Sequence, residues 1–347
     1  MSLKPLPGFN PFPTHHCVTG SMRHMYEFHD YPISEELLLG VGAGVGFIYW
    51  HMKGMPPMLG GRANFERPGE EGLEKTVGHR TGVRVESLHT TSARKAETSL
   101  LAMLDAGEPV MVQLDMGFLP YFDLPEDFHF GGHVVVICGC DTDAREVLVA
   151  DRDEQLHPVS LEQLAEARGS TFKPFPPRNT WHTFDFARKR PPQPDEVRQA
   201  IAEVATGMLE PPITNIGVKG IRKAAQQTLK WPQSMNEKQL REACFNVFIF
   251  IDATGGTGGG IFRYMYGRFL SEAAQITSDQ RLSEAGEEMH AIGDRWQAVA
   301  QTFRDAGRAR DPAALLPDAA TPLLDIADQE QAVWQRLREV VGRLESR

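Results

Sequence analysis

The sequence predicts an α+β domain followed by an all-helical domain, in a chain of 347 residues. Three observations carry that reading. In the first half, helical periodicity comes early and short apolar runs of strand length come later, the order of an α+β fold. Beyond Arg188-Lys189-Arg190-Pro191-Pro192-Gln193-Pro194 the periodicity is helical almost throughout. That segment is Pro-rich, charged and poor in apolar residues, the composition of a linker. The expected domains are therefore 14–188 and 195–347, and a prior of roughly 150 residues per domain agrees with two.

The elements follow in order. Val18 to His29 reads as a helix just after Cys17. Ser34 is the candidate N-cap of a helix entered through Glu35 and Glu36. Ala93 to Ala106 reads as a helix closed by Gly107. Strands are expected over 109–114, 133–138 and 147–151, then a short helix over 161–168 and a last strand over 180–186. In the second domain, helices are expected from Asp195 towards Met208, then over 219–229, 237–251, 262–272, 278–305 and 325–344. The run Gly255 to Gly260 is not a phosphate loop, because no Lys-Ser/Thr follows it. Nor is it a dinucleotide fingerprint, because a helix precedes it. It reads as a helix-to-helix turn, with close backbone approach to a ligand as the lesser alternative.

Composition excludes several classes. With 36 Lys+Arg against 46 Asp+Glu, the formal charge of -10 argues against a general nucleic-acid binder. A 41% hydrophobic content supports a buried core rather than disorder. Leu37 to Trp50 is apolar but interrupted by Gly40, Gly42, Gly44 and Gly46, and is too short to span a bilayer. Met1 to Pro13 lacks the apolar core of a signal peptide. Four cysteines in this length are not a disulfide scaffold, and a reducing, cytoplasmic location is expected. Residues 1–190 hold 18 basic and 25 acidic side chains and every histidine except His290. Proton-transfer chemistry is therefore expected in the first half.

Three residues there suit nucleophilic catalysis. Cys17 follows His15 and His16 and stands where a helix begins, a position that favours the thiolate. The common alternative for a cysteine is a small buried hydrophobe. His133 opens an apolar strand behind Gly131-Gly132, and Asp151 closes the next strand. If the two pair directly across a hairpin centred on Thr142, their Cβ atoms lie about 5 Å apart. A thiolate, an imidazole and an orienting carboxylate then stand in the order Cys, His, Asp. Cys138 and Cys140 read as strand packing and Cys244 as helix core.

THHC at 14–17, PISEELLLGVGAGVGFIYW at 32–50, LGGR at 59–62, VMVQLDMGFLPYF at 110–122, FHFGGHVVVICGCD at 128–141, VLVADRD at 147–153 and VSLEQLAEARGS at 159–170 stand out as extended motifs. In these stretches the sequence resembles the butirosin-biosynthesis protein H family. In the second half, GGTGGGIFRYMYGRFLSEAA at 255–274 resembles the helical domain of unknown function that accompanies it. The resemblance implies a papain-like cysteine fold used for acyl transfer from the phosphopantetheine arm of an acyl carrier protein to a small amine such as an aminoglycoside. It implies Cys17 as nucleophile, His133 as base and Asp151 as orienting acid, with no cofactor. Relatives of the fold carry a Gln shortly before the cysteine as oxyanion donor. Here that stretch is Phe9-Asn10-Pro11-Phe12-Pro13, so the Cys17 N–H helped by His16 or Asn10 is the expected substitute.

Glu35, Glu36, Arg62, Asp115 and Tyr121 are polar residues within these motifs and are candidates for substrate contact, with an Asp115–Arg62 structural pair as the alternative. Arg263, with Tyr264 and Arg268, is a further candidate from the second domain, against a solvated helix face. No metal site is expected, because His129 and His133 flank two glycines and share no helix face. No nucleic acid or membrane partner is expected, and homodimerisation is left open. Two other functions fit the same residues: a cysteine peptidase or amidase in which water replaces the amine, and a non-catalytic binding protein.

Overall fold

The computed structural model describes all residues except 1–2, 53–54, 67–70, 126 and 343–347. In chain order its helices and strands are α1 (Cys17–Phe28), α2 (Glu35–Val41), β1 (Val45–Trp50), β2 (Met58–Arg62), α3 (Leu73–Thr81), β3 (Arg84–Leu88), α4 (Ala93–Asp105), β4 (Val110–Leu114), β5 (His133–Asp141), β6 (Glu146–Ala150), β7 (Leu156–Ser160), α5 (Leu161–Gly169) and β8 (Trp181–Asp185). Then come α6 (Pro194–Leu209), α7 (Gly217–Thr228), α8 (Trp231–Ser234), α9 (Glu237–Ile251), α10 (Arg263–Thr277), α11 (Gln280–Arg308) and α12 (Leu316–Val341). The expected α+β class with a helical C-terminal region is what the chain forms. It makes two compact units: residues 1–38 with 81–190, and residues 39–80 with 191–347.

The first unit is built on a six-stranded antiparallel sheet in the order β3-β8-β4-β5-β6-β7. Its core joins Leu100 of α4 and Leu164 of α5 to Val112, Val135, Ile137, Val149 and Trp181 of the sheet. β5 is buried on both faces, which is why it reads as an unbroken apolar run. α1 runs beside it, with the Ser21 hydroxyl donating to the Val134 carbonyl at 3.2 Å. Between Ile137 and Gly139 the β5–β6 register slips by one residue, a bulge centred on Cys138. The carbonyl of Cys138 accepts the Leu6 N–H at 2.7 Å instead.

The bulge and a later turn correct the expected hairpin. Val136 pairs with Ala150 and Ile137 with Val149. Continuing that register places Asp151 across from Val135, two residues from His133 rather than opposite it. β3, β7, α3 and the β1–β2 hairpin are additional to the expected elements. β1 and β2 escape the period-two pattern because glycines interrupt it, Gly46 in β1 and the adjacent Gly60 and Gly61 in β2.

The second unit takes in the β1–β2 hairpin and most of α3 along with the helices, so residues 39–80 depart from the expected continuous domains 14–188 and 195–347. Specific bonds hold the hairpin there. Asn215 donates to the Tyr49 carbonyl at 3.1 Å, Trp231 Nε1 to the Tyr49 hydroxyl at 3.2 Å, and Asn246 to the Pro57 carbonyl at 2.8 Å. Gly260 takes a left-handed φ of 55° and abuts the Gly293 backbone, so the glycine run lets α10 start against α11. α12 begins nine residues earlier than expected and carries Pro322 inside it. The expected continuation to 344 lies partly outside the described residues.

Candidate active site

α1 starts at Cys17 because His16 caps it. The backbone at His16 is extended (φ -114°, ψ 131°), and its ring Nδ1 lies 3.0 Å from the Thr19 hydroxyl and 3.3 Å from the Thr19 N–H. Cys17 is therefore the first helical residue, with its own N–H left over by the helix. The approach to it is clamped twice. The Thr14 N–H donates to the Arg152 carbonyl at 2.8 Å, which ties this approach to the residue after Asp151. Glu35, at the start of α2 and 1% exposed, accepts the N–H of His15 at 2.8 Å and of His16 at 2.7 Å, and the Thr19 hydroxyl at 2.9 Å.

His133 opens β5, paired with Leu114 on β4. The loop before it is fixed by Asp115, whose carboxylate accepts the N–H of Gly117 and Phe130 and the Ser170 hydroxyl and contacts His129 Nδ1 at 3.1 Å. Gln113 adds a 2.7 Å bond to the Gly131 carbonyl. Despite the offset register, His133 Nε2 meets Asp151 Oδ2 at 2.7 Å, since diagonal neighbours about 7–8 Å apart are within reach of an imidazole and a carboxylate. The same oxygen accepts the Tyr121 hydroxyl at 2.9 Å, while buried Oδ1 has no hydrogen-bond partner among the described residues.

The thiol completes the set. Burial opposes a thiolate at Cys17, but the charge of His16 and hydrogen bonds from His133 and His16 outweigh it and hold the thiol well below its usual range. Burial likewise opposes a charged His133. The Asp151 carboxylate and the Cys17 sulfur outweigh it and push the imidazole up to about 9. Asp151 is buried too, yet His133, Arg152 and Tyr121 keep its carboxyl below the ordinary value. Opposed shifts on a bonded pair favour thiolate–imidazolium over thiol–imidazole at neutral pH. With Nε2 on Asp151, Nδ1 is the ring nitrogen left for sulfur. Cys138 and Cys244 are pushed up by burial alone, to about 12 and about 11, which is the inert condition.

Residues 16–152 match the family described as Butirosin biosynthesis protein H, N-terminal, and residues 162–337 match Domain of unknown function (DUF4872). The chain belongs to this two-domain family. A search of curated proteins gives no match. The first matched region holds Cys17, His133 and Asp151 together, and it also encloses residues 39–80, which fold with the second unit.

Of the residues expected to meet substrate, four are committed to protein partners. Glu35 and Asp115 are buried loop anchors, and Tyr121 bonds Asp151 while stacking on His157 at 4.0 Å. Arg263 is fully buried in the second unit, donating to Glu330 at 2.9 and 2.8 Å and to the carbonyls of Gly46 and Ile261. Glu36 is half-buried on α2. Arg62 stacks over Phe65 and lines a cavity of about 630 Å³ within the second unit, so the Asp115–Arg62 pair gives way to the partners above. Asn10 is exposed and donates to the Gly8 carbonyl, leaving His16 as the near-site group of that pair. Thr19 is the residue the sequence reading missed. Its signal was present as the three-residue spacing from cap to N3. Among the described residues no cluster could hold a metal ion, and no helix is long and apolar enough to cross a membrane.

Proposed function

We propose that the chain is a biosynthetic cysteine acyltransferase that carries an acyl or aminoacyl group on Cys17 from a carrier-protein thioester to a small amine. One arrangement supports the reading: Cys17 heads α1, and the buried His133 imidazole beside it is held at 2.7 Å by the buried Asp151 carboxylate, the geometry that lowers the thiol and raises the imidazole. The Cys17 sulfur attacks the donor carbonyl, the donor C–S bond breaks, and the departing thiolate takes the proton from His133. The acyl group then sits on Cys17 until an amine displaces it. The Cys17 N–H at the head of α1, with His16 beside it, stands where an oxyanion would form. The unit that holds the triad carries 13 basic and 21 acidic side chains, which favours a cationic acceptor over an anionic one.

The test is direct. Wild type and Cys17→Ala are incubated with acylated carrier protein or a small acyl thioester, and an acyl adduct is sought by intact mass. Wild type should gain one acyl group and Cys17→Ala none. A wild type that gains none, with a thiol that resists alkylation at neutral pH, would leave a binding protein. An adduct that discharges only to free acid when amine is present would make the chain a hydrolase.

A further inference from the structure

We propose that the second unit carries a small-molecule site of its own: the cavity between the β1–β2 hairpin and α6 binds an organic cation, a primary ammonium on an apolar body. None of its lining residues belongs to the unit that holds Cys17, so this site stands or falls apart from acyl transfer.

The cavity holds about 630 Å³, inside the range of roughly 300–1,000 Å³ found for small-molecule pockets. Residues of β1, β2, α3 and α6 supply its wall. Val45, Ile48, Val204 and Ile216 make much of that wall apolar. Phe65 also lines it and is 52% exposed, a large apolar surface that the fold leaves uncovered.

The polar groups of the wall decide what the cavity takes. The principal donors are committed to the protein. Arg80 is buried and gives Nη1 to the Val41 carbonyl at 2.6 Å and Nη2 to Glu203 Oε1 at 2.7 Å. Arg62 lies over the Phe65 ring at 5.5 Å. The Asn64 amide nitrogen uses both protons, on the Gly42 carbonyl at 2.7 Å and the Thr76 hydroxyl at 3.0 Å. The acceptors are not used up. Glu203 takes both Arg80 and Gln199 on Oε1, so among the described residues its Oε2 has no hydrogen-bond partner. Glu71 meets His79 through Oε2 alone, at 2.8 Å. Gln199 turns its amide nitrogen to a carboxylate, which can only accept, and its carbonyl oxygen has no partner among the described residues. The wall also carries three carboxylates, on Glu71, Glu196 and Glu203, against two guanidiniums. Acceptors to spare and a carboxylate in excess suit a donor with positive charge. An ammonium brings three protons and one charge. A carboxylate or phosphate would bring only acceptors.

The test uses the full chain and 2-phenylethylammonium, titrated calorimetrically at pH 7, where an alkylammonium with a pKa near 10 is charged. 2-Phenylethanol and 3-phenylpropionate are the neutral and anionic counterparts of the same body. Wild type should bind the ammonium saturably and at least about tenfold tighter than either counterpart, because hydrogen bonds between charged groups are roughly twice as strong as neutral ones. Glu203→Gln keeps an acceptor for Arg80, removes the charge and should weaken the ammonium about tenfold. Gly207 lines the cavity on α6, and a Cβ there would meet nothing within 4 Å. Gly207→Trp therefore places an indole in the cavity without moving its wall, and should weaken binding at least about tenfold. Cys17→Ala should bind as wild type does. No saturable binding by wild type, a preference for either counterpart, or undiminished affinity in Gly207→Trp or Glu203→Gln overturns the proposal. Binding lost in Cys17→Ala would move the ammonium to the triad and overturn it as well. If Glu203→Gln does not fold, the order of the three probes and Gly207→Trp decide.

Discussion

The chain buries two carboxylate-centred networks, and they differ in completeness. In the second unit, Glu330 is fully buried and both oxygens are used twice: Oε1 by Arg263 Nε and Trp296 Nε1, Oε2 by Arg263 Nη2 and Trp334 Nε1. Arg263 spends its remaining contacts on two carbonyls. In the first unit, Asp151 crowds two donors on Oδ2 while Oδ1 has no hydrogen-bond partner among the described residues. The complete network has no capacity left for a ligand and holds helices together. The incomplete one ends on a sulfur and shifts the protonation of its members. Hydrogen-bond saturation, more than burial or charge, separates a structural ionic pair from a chemical one.

That contrast can be broken in four ways, from the largest effect to the smallest. His133→Ala should slow alkylation of Cys17 at pH 7 by about 10²–10⁴ in the folded protein. Comparable alkylation rates in the two proteins would return His133 to a structural role. Glu330→Gln should do the reverse. It leaves a buried guanidinium uncompensated, at about 3–5 kcal/mol in denaturant unfolding, while the folded fraction keeps its thiol reactivity.

Third, burial lowers His24 to about 4, against the pull of the Gly20 carbonyl that accepts from its Nδ1. The unfolded chain takes that proton near 6.5, the folded one only near 4. Stability is therefore complete above pH 6.5 and lost as pH falls towards 4, by about 3 kcal/mol. His24→Gln should flatten that slope in urea midpoints measured from pH 7 to 4. Fourth, Tyr121→Phe keeps the stacking on His157 but removes one donor from Asp151. Because that donor helps depress the Asp151 carboxyl, the acid limb of the alkylation profile should move to higher pH, with less than a tenfold loss at its plateau. An unmoved limb would mean that the phenol does not tune the triad.

Much of this was legible in the sequence, and the exceptions have physical causes. Cys17, His133 and Asp151 stood out by residue type and by their places at element ends. Their contact survives a register that differs from the expected one, because side chains of that length tolerate a two-residue offset. The bulge at Cys138 was hidden because an apolar run looks the same with or without an extra residue. Arg263 was misread because spacing on a helix does not say which face is covered. Here the covering comes from Glu330, 67 residues later. Glu35 was picked out as polar in an apolar motif, which is correct for a buried anchor as well as for a substrate contact. Only its three donors distinguish the two roles.

The placement of residues 39–80 in the second unit has a consequence in time. The hairpin of β1 and β2 leaves the ribosome about 200 residues before Arg263, the side chain that caps the Gly46 carbonyl. At about 5–20 residues per second, it waits on the order of ten to forty seconds with apolar strands and no lasting partner. Neither unit can close before the chain has passed through the other, so a cut at the Pro-rich linker would strand this hairpin instead of releasing two domains. The two units are one inheritance: a gene that kept the first 190 codons alone would encode an orphaned pair of strands along with the nucleophile.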